Sequence, residues 1–187
     1  MARPSPMLRD QHKAALERAI FVEFAQRYRA DVDLASVASG NPNEREPDIL
    51  AKSVESDHRI AVELVRLTEQ DSQALARQAP RLPPPDAPPA HLPLLEPAVD
   101  AFSRKFKKAE AGLYDGVAAG DLELLAWSDH LATPWPQVLA SAEVWLTHYA
   151  CAEHFAMVWL WRRPDFPGDP AQSAWVWSRG RGLRRFG

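Results

Sequence analysis

Three carboxylates in this sequence stand where apolar residues are expected. The stretch EPDILAKSVESDHRIAVELVRL, residues 46–67, holds two apolar runs, IL and IAVELV, joined by the polar turn SVESDHR. That pattern predicts two short strands in a hairpin. Glu63 falls inside the second run, where an unpartnered charge is costly to bury. With the turn centred near Glu55–Ser56, cross-strand partners carry numbers summing to about 111, so Asp48 faces Glu63 with the two β-carbons about 5 Å apart. Carboxylates that close repel one another unless a cation lies between them, and paired oxygen ligands suit a hard divalent ion, Mg²⁺ or Mn²⁺. The third carboxylate is Glu17. On a helix its position is near the centre of the stripe formed by Ile20, Phe21, Phe24 and Tyr28, whereas Glu23 lies at the edge. One shared metal site explains all three.

The elements that must position these residues follow from periodicity. Residues 8–29 read as a helix, with Leu16, Ile20, Phe24 and Tyr28 on one face. VDLASVA (32–38) is a first strand, followed by the turn NPNERE and the hairpin. Residues 69–79 can form a short helix. The segment Pro80–Pro97 has eight prolines in eighteen residues, too many for regular structure, so it reads as an extended internal connection or lid at the surface. Leu95–Tyr114 is helical, with Leu95, Val99, Phe102, Phe106, Ala109 and Leu113 on one face. DLELLAW (121–127) is a strand. Thr133 and Pro134 signal the start of a helix reaching about Tyr149. HFAMVWLW (154–161) and SAWVWS (173–178) are strands rich in aromatic and β-branched residues. Alternating helices and strands predict an α/β fold, a central mixed sheet flanked by helices.

Composition narrows the function classes. The 187 residues are 46% hydrophobic and 25% charged, ordinary for a single globular domain spanning 1–187. A net charge of −3 gives no overall attraction to nucleic acid or anionic membrane, so any basic surface must be local. One cysteine, Cys151, excludes an internal disulfide and a cysteine metal cage. No apolar run has the length of a membrane span and no signal-peptide core is visible, so the expected location is cytoplasmic with no membrane partner. The tail SRGRGLRRFG (residues 178–187) is the best basic feature. Arg179, Arg181, Arg184 and Arg185 suit phosphate contact, though a solubilising end has the same composition.

Taken together, the order of elements resembles the PD-(D/E)XK nuclease superfamily, the restriction-endonuclease-like fold. The resemblance rests on Glu17 in the opening helix, Pro47-Asp48 opening the second strand and Glu63 on the third. It extends through the helix with FSRKFKKAEAGLY and the strand–helix–strand after it, and so covers nearly the whole chain. It implies that Glu17, Asp48, Glu63 and the backbone carbonyl of Leu64 hold Mg²⁺ (or Mn²⁺), and that the substrate is a nucleic-acid phosphodiester, DNA ahead of RNA. A homodimer is compatible with it. The superfamily's lysine, two residues after the strand glutamate, is here Val65, and Arg66 projects from the other face of the strand. Lys105, flanking the apolar stripe of its helix, is the favoured replacement. Lys108 lies further round as a solvated flank, and Lys52 is about 13 Å along the strand from Asp48. The expected catalytic set is Asp48, Glu63 and Lys105. A descendant that kept the fold but lost the lysine, and binds nucleic acid or protein without cleaving, is the alternative.

Overall fold

A computed structural model describes residues 6–41, 44–56, 58–68, 100–118, 121–129, 135–148, 154–163 and 173–186. Its elements are α1 (Pro6–Tyr28), β1 (Val32–Ser39), β2 (Ile49–Ser53), β3 (Arg59–Arg66), α2 (Asp100–Glu110), β4 (Leu122–Ser128), α3 (Trp135–His148), β5 (Phe155–Arg162), β6 (Ser173–Ser178) and β7 (Gly182–Phe186). All seven strands join one sheet in chain order. β1, β2 and β3 form an antiparallel meander. β3, β4 and β5 are parallel, and β6 and β7 return antiparallel. Parallel neighbours need a crossover connection, and α2 and α3 lie in the two crossovers. The fold is therefore α/β with a mixed sheet, as the alternation of elements predicts.

Central strands covered on both faces carry nearly unbroken apolar runs, and β4 is buried at every position. On one face α1 lays Ile20, Phe21, Phe24 and Ala25 against Ile49, Val62, Leu64, Leu125, Trp159 and Trp161. On the other, Phe106 and Ala109 of α2 and Val138, Ala142 and Leu146 of α3 meet Ala61, Val65, Leu124, Ala126 and Leu160. Each large side chain buried in this way contributes about 1.5–3 kcal/mol of transfer free energy. Phe24 also makes ring contacts with Trp159 at 5.3 Å and Trp161 at 5.5 Å, a geometry that adds to simple burial. The tryptophans of VWLW and AWVW are thus packing groups.

Three expectations change. Leu16 is exposed, because α1 buries only its second half, from Ile20 onward. Leu113 is also exposed: α2 ends at Glu110, and Tyr114 takes the buried position beyond the turn. The basic end is no loose tail. Residues 182–186 form β7, joined to β6 by a short turn in which Arg181 N–H bonds Ser178 O at 3.1 Å. Gly180 and Gly182 adopt φ of 75° and 63°, values an L side chain resists. Leu183 and Phe186 pack on opposite faces, which gives the strand a reason to form. The helix expected at 69–79, the proline segment 80–97, Thr133, Pro134 and Cys151 lie outside the described residues.

Candidate functional site

The site grows from the end of β2. Asp48 stands just before Ile49, and the chain of β1 passes close beside it: Gly40 N–H donates to Asp48 O at 3.1 Å. A β-carbon on Gly40 would lie 1.9 Å from the carbonyl oxygen of Pro47, so only glycine permits this approach. The hairpin register is Ile49↔Val62, Leu50↔Ala61, Ala51↔Ile60 and Lys52↔Arg59. Every pair sums to 111, and one step further Asp48 faces Glu63. The Asp48 Oδ2 accepts the Leu64 N–H at 2.9 Å. Because β2 has ended there, this side chain supplies the partner that a strand would otherwise give. The N–H and C=O of one strand residue leave the backbone on the same side, so the Leu64 carbonyl faces this same gap.

Glu63 is 0% exposed and sits on the face covered by α2. Its partners come from that helix. The Lys105 amine lies between the two carboxylates, 2.7 Å from Asp48 Oδ2 and in direct contact with Glu63 Oε2. Lys108 approaches the other Glu63 oxygen at 3.5 Å, an ion-pair distance. The same amine stands 4.3 Å above the ring of Tyr114. Tyr114 is buried, and its hydroxyl makes no hydrogen bond of standard geometry among the described residues. Glu17 arrives from the other face of the sheet. It pairs with Lys13 at 3.1 Å, and Lys13 in turn lies 3.9 Å from Asp48. The expected three-way convergence of Glu17, Asp48 and Glu63 is therefore replaced by a chain of alternating charges. Among the described residues no group of three His, Cys, Asp or Glu stands close enough to hold a metal ion.

Charge and burial act in opposite directions here. Burial pushes the Glu63 carboxyl above the ordinary glutamate range, and the nearby Asp48 charge adds to this against the opposing Lys105. Burial acts on Asp48 in the same sense, but the charge and hydrogen bond of Lys105 and the Leu64 N–H outweigh it and hold the group below its usual value. Burial would lower Lys105, yet Glu63 and Asp48 more than compensate and raise it. Glu17 is raised by burial and by Asp48. The Tyr114 hydroxyl is raised by burial and by the Glu63 charge. Asp48 and Glu17 open onto a cleft of about 460 Å³ between α1 and the 40–48 segment, lined also by Asp10, Lys13 and Glu46.

Two carboxylates and the favoured lysine thus meet, and Lys108, read from sequence as a solvated flank, joins them. Its spacing of three from Lys105 was the available signal. Lys52 is exposed at the far end of β2. Arg179, Arg181, Arg184 and Arg185 are exposed but distant: β7 lies four strands from β3, about 19 Å at the usual strand spacing. A second charge cluster, buried at Arg29 and Glu123 and half-exposed at Asp31, escaped the sequence altogether. Under α1, Arg29 donates to both oxygens of Glu123, one of them at 3.1 Å, and to both oxygens of Asp31 at 2.8 Å. Trp159 Nε1–H donates to Glu123 at 2.9 Å. No helix among the described residues is long and apolar enough to cross a membrane. Comparison with known protein families, characterised proteins and solved structures found no match to this chain.

Proposed function

We propose that the chain is a divalent-metal-dependent phosphodiesterase acting on nucleic acid, DNA ahead of RNA, built on a restriction-endonuclease-like fold. The order of elements supports the fold: an opening helix, a three-strand meander, a crossover helix and a parallel strand. The observation that carries the function is the Lys105 amine lodged between Asp48 and Glu63. Those two carboxylates converge on the place a cation takes. The donor set fits a hard metal in part: Asp48, Glu63 and the Leu64 carbonyl face one gap, and Glu17 stands one charge further out. When bound there, Mg²⁺ or Mn²⁺ would supply an activated water and Lewis-acid stabilisation of the phosphoryl oxygens.

The chain's own residues prepare that chemistry. Asp48 is fixed by the Leu64 N–H, so its free oxygen keeps one direction. Glu63 is held rigid in the middle of β3 with no access to bulk water. Lys105 replaces, from the crossover helix, the lysine that Val65 does not provide, and its charge can stabilise a developing phosphorane oxyanion. Its long stem lets it withdraw from the carboxylates toward a phosphate without moving the backbone.

The test is cleavage of single- and double-stranded DNA and RNA in Mg²⁺ or Mn²⁺ against EDTA. Asp48→Ala should abolish metal-dependent cleavage with the fold intact, and Lys105→Ala should slow it by about 10²-fold or more. No cleavage of any substrate by the wild-type chain would overturn the enzymatic reading. One observation favours a non-catalytic binding module in its place: Lys105 and Lys108 already balance Asp48 and Glu63, so the site is neutral without a metal. Binding that persists in EDTA without cleavage would select it.

A further inference from the structure

We infer that Tyr114 is a positioning residue for Glu63: its hydroxyl takes hold of this carboxylate when Lys108 turns away toward an incoming phosphate. The inference rests on the reading above for the phosphate that draws Lys108 out. The place of Tyr114 is set by the way α2 ends. Leu113 N–H donates to Lys108 O at 3.1 Å and Gly112 N–H to Ala109 O at 3.0 Å, the paired bonds of a Schellman cap. Gly112 supplies the left-handed residue that this cap needs, at φ 62°. The reversal carries Tyr114 back against the last turn of the helix. There its ring is buried, and the Lys108 amine stands 4.3 Å above it.

The hydroxyl of Tyr114 is buried, yet it makes no hydrogen bond of standard geometry among the described residues. In that state it carries the cost of leaving water without the bond that normally offsets it. Glu63 is within reach of it and, after burial itself, bears on it most, ahead of Asp48. The two lysines on Glu63 are unequal. Lys105 is in direct contact with one carboxylate oxygen, and its side chain is 20% exposed. Lys108 meets the other oxygen only at 3.5 Å, and its side chain is 37% exposed. Lys108 is therefore the partner an outside anion removes first. Its departure leaves a carboxylate oxygen short of a donor inside the core, which is unfavourable. Tyr114 is a neutral donor beside that carboxylate. It restores a hydrogen bond without restoring a positive charge, so Glu63 stays oriented and anionic. In the resting chain Lys108 serves Glu63 and the hydroxyl is idle; with Lys108 engaged elsewhere, the roles exchange.

The test is a double-mutant cycle read as melting temperature, on the full chain without metal or nucleic acid. Lys108→Met removes the amine and stands for its withdrawal. In the wild-type background Tyr114→Phe should leave Tm unchanged or raise it, because the hydroxyl has no bond to lose. In the Lys108→Met background the same change should lower Tm by about 2–4 °C, the scale of one hydrogen bond in a chain of this size. An equal loss in both backgrounds would make the hydroxyl a fixed structural bond, and no loss in either would make Tyr114 a packing ring; each result overturns the inference. A second measurement needs only the single variant. In Mg²⁺-dependent cleavage of duplex DNA, Tyr114→Phe should lower kcat by about 10-fold with KM unchanged, the usual scale for losing a group that orients a site carboxylate. An unchanged kcat would overturn the positioning role. A coupled cycle in a wild-type chain that cleaves no substrate would overturn the enzymatic reading and leave Tyr114 as the reserve donor of Glu63.

Discussion

The two faces of the sheet each bury a charge cluster, and they are built on different terms. Under α1, Arg29 is nine-tenths buried and forks onto Glu123 and Asp31, with Trp159 completing the carboxylate. A planar guanidinium matched to carboxylates has few other arrangements to adopt. Under α2, Glu63 of β3 and Asp48, just before β2, share flexible lysine amines, and an aromatic hydroxyl stands without a hydrogen bond of standard geometry. The first cluster ties the end of α1 to β4. The second holds two like charges side by side with cations that can leave. Rigid donors with every oxygen used mark a structural tie; lysine amines over paired acids are the arrangement on which the proposed function rests.

The comparison breaks first at Arg29. Arg29→Met should cost about 3–5 kcal/mol in urea denaturation, because it leaves the buried Glu123 charge without a counter-ion, held only by the Trp159 N–H. A cost below about 1 kcal/mol would show that the α1 cluster is no tie. Lys105→Met should cost less, about 2 kcal/mol at neutral pH, since Lys105 and Asp48 are partly exposed where Arg29 and Glu123 are buried. Here the pH response separates the two clusters. The Glu63 carboxyl lies above its unfolded value, and a group raised on folding favours the folded chain more as pH falls toward the unfolded value. The Lys105→Met variant should therefore recover stability, relative to wild type, on acidification from pH 7 toward 4.5, and a flat difference would contradict the assignment.

Gly40→Ala sharpens the comparison by a different route. It should cost about 1–2 kcal/mol, within the usual range for a steric change at a special backbone position. It should also displace the Pro47–Asp48 peptide, so that carboxylate-dependent activity falls while the Arg29 cluster is untouched. Unchanged activity with lowered stability would separate Gly40 from the site. The smallest effect belongs to β7: Arg184→Ala/Arg185→Ala should stay within about 0.5 kcal/mol, as exposed substitutions usually do.

Local pattern carried the fold and half of the site. The hairpin register could be counted from its turn, since side chains alternate with a period of two and one slip would have exposed Val62 and buried Lys52. Lys105 was readable because it borders the stripe of Phe106 and Ala109. Glu123 was not: it interrupts an apolar run as Glu63 does, but no hairpin register sets a second charge beside it, and its partner Arg29 is 94 residues away. Tyr114 was hidden by the early end of α2, which continuous periodicity cannot reveal. The β7 strand was hidden by composition: arginine and glycine look alike in a loose tail and in an edge strand whose polar side faces water.

The register of β2 against β3 has one more consequence, in the order of assembly. The hairpin that pairs Asp48 with Glu63 closes through a short turn, and such local pairing is fast. Lys105 reaches Glu63 across 42 residues of sequence and Asp48 across 57, and loop-closure entropy must be met before contacts of that range repay it. During folding the two acids therefore face each other before their counter-ion arrives. Until the crossover docks, the middle of β3 must stay wet or protonated, and the helix that arrives from it brings the charge that lets that strand become core.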